Sequence, residues 1–88
     1  MSLTDQIQNY VETMVEEKIY EKLGREIDQD NLIDVACVAL NQLPARYIRY
    51  AVDFVFYLSP DERQKLFDDV ETAVSDAIEY VETHKRQA

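Results

Sequence analysis

Apolar residues in the first quarter of the chain fall at Ile7, Tyr10, Val11, Met14, Val15, Ile19 and Leu23. Steps of three and four of this kind mark one face of an amphipathic helix. The periodicity predicts a helix running from near Leu3 to Leu23. Gly24 follows it, where a helix C-cap wants a residue tolerant of positive φ. After a short polar connector, Asp28 or Asp30 can cap a second helix. Its apolar residues are Leu32, Ile33, Val35, Ala36, Val38, Ala39, Leu40 and Leu43, broken only by Asp34, Asn41 and their like. A helix apolar almost all round is expected at the centre of the molecule, buried on most sides. Pro44 stops it, because the proline ring disfavours helical geometry at Leu43.

The stretch from Ile48 to Leu58, IRYAVDFVFYL, is ambiguous. Its β-branched and aromatic content suits a strand, whereas Ile48, Val52 and Val55 keep helical spacing. A short helix is the reading adopted, with an extended segment as the alternative. The last element is sharply marked. Ser59, Pro60 and Glu62 form a capping box with proline at the first helical position. Leu66, Phe67, Val70, Ala73, Val74, Ala77, Ile78 and Val81 then make an apolar stripe, and Lys85 and Arg86 lie at the end of the helix, where its dipole prefers cations. The expected fold is all-α, a small helical domain of three to four helices.

Eighty-eight residues suffice for one domain spanning residues 1–88. A chain of this size buries roughly 60–65% of its unfolded surface, so a partner subunit would add usefully to the core. A homodimer is expected on that ground. The formal net charge of −9 disfavours duplex nucleic acid and anionic membrane as partners. No apolar run approaches the ~20 residues that span a bilayer, and no secretory leader pattern is found. A soluble, cytoplasmic protein is expected.

Charge is not spread evenly. Residues 1–43 hold nine acids against three bases, and residues 59–88 hold eight against four. Residues 44–58 hold Arg46 and Arg49 against Asp53 alone, the one segment with a positive balance. In LNQLPARYIRY, from Leu40 to Tyr50, two arginines and two tyrosines follow the proline. One reading makes the arginines internal counter-charges, with Arg49 and Asp53 an i, i+4 pair if the segment is helical. The other makes Arg46, Tyr47, Arg49 and Tyr50 a compact anion site: guanidinium forks match phosphate geometry, and both side-chain types stack on a base. A protein–protein surface is the third use such a segment can have.

Other chemistry is sparse. His84, the single histidine, is expected on the surface of the last turn, and Cys37 as a small buried core residue. Glu16, Glu17, Asp68 and Asp69 belong to polar helix faces. There is no Gly-rich phosphate loop, no Ser-His-Asp set and no Cys/His cluster, so neither enzymatic activity, a cofactor nor a metal site is expected.

The stretch DVACVALNQLPARYIRYAVDFVFYL, continuing into SPDERQKL, resembles the late competence development protein family ComFB, chiefly through its ALNxLPxRY core. The resemblance implies a small, mostly helical, dimeric protein without enzymatic activity. Some members are linked to natural competence, and some related members are described as receptors for cyclic di-GMP. Some carry a four-cysteine zinc cluster ahead of the LN segment; here only Cys37 stands in that region, so zinc is not expected. Arg46 and Tyr47 match the motif positions. The expected function is a non-catalytic regulatory binding module that takes cyclic di-GMP or another small anion through the segment from Pro44 to Tyr50. The alternative is a structural or adaptor homodimer that uses the same segment to contact protein.

Overall fold

The computed structural model describes residues 8–49 and 58–84. Within them the order is β1 (Gln8–Asn9), α1 (Tyr10–Leu23), α2 (Gln29–Leu40), β2 (Tyr47–Ile48) and α3 (Pro60–Thr83). Three helices carry the fold, and the two strands are a single short antiparallel contact, with Gln8 opposite Ile48 and Asn9 opposite Tyr47. The all-α expectation holds.

Each helix begins and ends for a local reason. Asn9 caps α1, its side-chain oxygen accepting from the Val11 N–H at 3.3 Å. Gly24 ends α1 at φ 86° and ψ 159°, a region that side-chain-bearing residues avoid, and its N–H donates to the Tyr20 carbonyl. Asp28 caps α2 by accepting from the Asn31 N–H. Beyond Leu40 the chain tightens through Gln42 N–H to Ala39 C=O and Leu43 N–H to Leu40 C=O. The helix is therefore finished before Pro44 is reached. Ser59 and Glu62 form the expected reciprocal capping box, with Pro60 at the first helical position.

The core is built by Val11, Val15 and Ile19 from α1, Leu32, Val35 and Ala39 from α2, and Leu66, Val70, Ala73, Val74 and Ala77 from α3. All three helix pairs are in contact. Lys18 and Lys22 of α1 both reach Glu71 of α3, at 3.1 and 2.6 Å, and tie the two helices across their rim.

Five expectations need correction. The first helix starts at Tyr10, because Gln8 and Asn9 are extended; Leu3 and Ile7 lie outside the described residues. The second helix is not buried on most sides. Two neighbouring helices cover only one flank, so Ile33 remains 55% exposed and Cys37, one turn further along, is exposed as well. Cys37 is thus not a core residue. Phe67 belongs to the apolar stripe by spacing but faces outward, 51% exposed. Finally, Ile48 is in a strand and not at the start of a helix, because its backbone pairs with Gln8. Tyr50, Val52, Asp53 and Val55 lie outside the described residues, as do Lys85 and Arg86, so the proposed Arg49–Asp53 pair is not addressed.

Candidate functional site: the segment after Pro44

Antiparallel pairing with Gln8 and Asn9 holds Tyr47 and Ile48 extended. Pro44 has no N–H to offer a ladder and suits the approach to such an edge. The Arg46 N–H donates to Asn9 Oδ1 at 2.8 Å, and the Arg46 carbonyl accepts from the Tyr10 N–H, also at 2.8 Å. Asn9 Oδ1 therefore serves two donors, the Val11 N–H of the helix it caps and the Arg46 N–H of the segment it anchors. Arg46 is fixed by its backbone while its side chain is left to project.

Side chains alternate along an extended chain. Tyr47 and Arg49 are exposed and Ile48 between them is half-buried. Tyr47 is the most exposed large hydrophobic residue described, at 68%. Arg46 is exposed as well, and its charge is felt at Glu62 in the first turn of α3. The backbone N–H of Ser59, then its hydroxyl, hold the Glu62 carboxyl below its usual range, and the Arg46 guanidinium adds to that effect. The segment is thus bonded to the beginning of α1, and the charge of Arg46 is felt at the beginning of α3, so the positive ends of two helix dipoles bear on it. The acids in those first turns, Glu12, Asp61 and Glu62, offset part of that field.

Of the four expected site residues, Arg46, Tyr47 and Arg49 are each exposed on one short segment, and Tyr50 lies outside the described residues. Sequence reasoning missed Asn9. The signal was available, since asparagine ahead of an apolar run is a favoured N-cap. Its second role, toward Arg46, has no local signature.

An open cleft of about 870 Å³ lies elsewhere, between α2 and the last turns of α3. It includes none of the arginines, so cavity and predicted chemistry do not coincide. The arginine segment is the better candidate for an anion, because three aspartates line the cleft. Among the described residues no group of three or more His, Cys, Asp or Glu is arranged to hold a metal ion. His84 is exposed, stacked on Tyr80 with ring centres 4.2 Å apart. No helix of the described residues is long and apolar enough to cross a membrane.

Fold and site together define a small helical domain that presents an exposed arginine–tyrosine segment from its helix starts. The sequence pattern of the late competence development protein ComFB family matches residues 8–85, nearly the whole chain, and the protein belongs to that family. No curated protein and no solved structure matches it.

Proposed function

We propose that this ComFB-family protein is a non-catalytic regulatory module of the cytoplasm, a homodimer that takes cyclic di-GMP or another small phosphate-bearing anion through the segment from Pro44 to Tyr50. The observation that carries the reading is the exposure of Arg46, Tyr47 and Arg49 on a backbone anchored to α1. Anchoring lowers the entropy cost of ordering the segment around a ligand. The guanidinium groups supply bidentate donors for phosphate, and the Tyr47 ring supplies a face for a purine.

Isothermal titration of the full chain with cyclic di-GMP tests it. A binding heat is expected, with affinity falling about tenfold or more in the Arg46→Ala, Arg49→Ala double variant, since charge-assisted hydrogen bonds are among the stronger ones. No heat with cyclic di-GMP, cyclic di-AMP or GTP would remove the anion reading.

The second reading is a structural or adaptor homodimer with the same segment at its interface. The 68% exposure of Tyr47 favours it, because exposed tyrosine is typical of interface anchors. Light scattering on the eluted peak decides: Tyr47→Ala should halve the mass if the ring anchors a dimer. An unchanged dimer in that variant excludes the segment as the interface.

A further inference from the structure

We propose that the cleft between α2 and the last turns of α3 docks a short basic amphipathic helix from a partner protein. This site shares no residue with the arginine segment and stands or falls separately from it. Its floor is apolar. Ile33 from α2 and Tyr80 from α3 are 55% and 52% exposed, with Val38 and Val81 half-buried between the helices. Exposed large apolar residues facing one another across two helices are what a helix-in-groove contact uses, the guest inserting side chains at i, i+3, i+4 and i+7.

Charge selects the guest. Asp28, Asp30 and Asp34 stand along the α2 side, and among the described residues no lysine or arginine lines the cleft. His84 is occupied locally: its ring stacks on Tyr80, and its Nδ1 lies 2.9 Å from both the Thr83 hydroxyl and the Tyr80 carbonyl. An anionic ligand or an anionic membrane surface would meet a repulsive field. A second copy of this chain, docked face to face, would bring the same three aspartates against themselves. A helix with lysine or arginine flanking an apolar stripe answers both the aspartates and the floor. The net charge of −9 would steer such a guest toward the protein at low salt.

The test is fluorescence anisotropy of the full chain with a labelled Leu/Lys peptide of about 18 residues, five helical turns, whose leucines follow the helical period. The control peptide has the same composition with leucine and lysine alternating, so that it has no helical apolar face. Ile33→Ser, Tyr80→Ser and an Asp30→Asn, Asp34→Asn double variant should each weaken binding about tenfold. A Glu16→Gln, Glu17→Gln double variant, equally neutralised but on α1 away from the cleft, should stay within about twofold. Circular dichroism melts accompany each variant, and Ile33→Ala replaces Ile33→Ser if the serine lowers the melting temperature. Equal binding of the two peptides, equal loss in both double variants, or spermine binding as tightly as the helical peptide would overturn the proposal. So would a wild-type dimer that Ile33→Ser converts to monomer, since a second copy would then be the occupant.

Discussion

The side-chain oxygen of Asn9 accepts from two backbone N–H groups, one opening α1 and one in the arginine segment. Asn9→Ala removes a helix cap and leaves the Arg46 N–H without its partner. The cap alone is worth about 1 kcal/mol; with the second bond, a loss of about 1–3 kcal/mol is expected in urea unfolding. Asn9→Asp, which keeps an acceptor oxygen, should recover most of it. Gly24 is the opposite case, since nothing lies within 4 Å of the place its side chain would occupy. Any cost of Gly24→Ala therefore comes from backbone strain at φ 86° and should be about 1–3 kcal/mol. The apolar positions divide by coverage. Ile19, fully buried, should lose about 2–5 kcal/mol on replacement by alanine. Ile33→Ala should lose about 0.5 kcal/mol or less.

At the scale of elements, α1 and α3 are joined at their rim by Lys18 and Lys22 converging on Glu71. Hydrogen bonds from Lys22 and then Lys18 hold the Glu71 carboxyl below its usual pKa of 4.5. A carboxyl depressed on folding contributes stability that is complete above its unfolded pKa and is lost as pH falls through the folded one. Lys18 is the mirror image. Its hydrogen bonds to Glu21 and then Glu71 raise it above 10.5, so its contribution is complete below that pH and fades at higher pH. Glu71→Gln should flatten the acid limb of a stability–pH curve, and the same variant should soften the alkaline limb. An acid limb unchanged in Glu71→Gln would mean that this exposed network contributes nothing measurable, as many surface pairs do not.

Element ends were legible in the sequence because caps are local. Gly24, Asp28, Ser59, Pro60 and Glu62 all act within four residues of where they stand. What escaped was set by neighbours distant in sequence. In α2 nearly every face is apolar, so periodicity offers no contrast, and only the placement of α1 and α3 decides that Leu32 is covered and Ile33 is not. The extended geometry at Tyr47 and Ile48 likewise depends on a partner 38 to 40 residues away in the chain. The arginine segment could be found by counting charge, but its attachment to the head of α1 could not.

For the molecule as a whole, an acidic body carries one locally basic segment, and the two candidate surfaces have opposite preferences. Ligands of opposite charge should bind at both without competing directly. Cyclic di-GMP and the basic peptide, titrated together, are expected to show affinities changed by no more than about threefold relative to each alone, if no shared helix movement couples them. The homodimer belongs to this scale too. Light scattering should return twice the chain mass of 10.3 kDa, and a monomer at micromolar concentration would contradict it.

The clasp between Asn9 and Arg46 closes a loop of 37 residues with few bonds. The helices, by contrast, are held by eleven buried side chains among the described residues. Opening the clasp exposes little apolar surface, so it should proceed without the bundle coming apart. In hydrogen exchange the amide of Arg46 should lose its protection long before those of Val15 or Val74. Binding at the neighbouring guanidinium groups should slow that amide first, which turns one backbone proton into a reporter of occupancy.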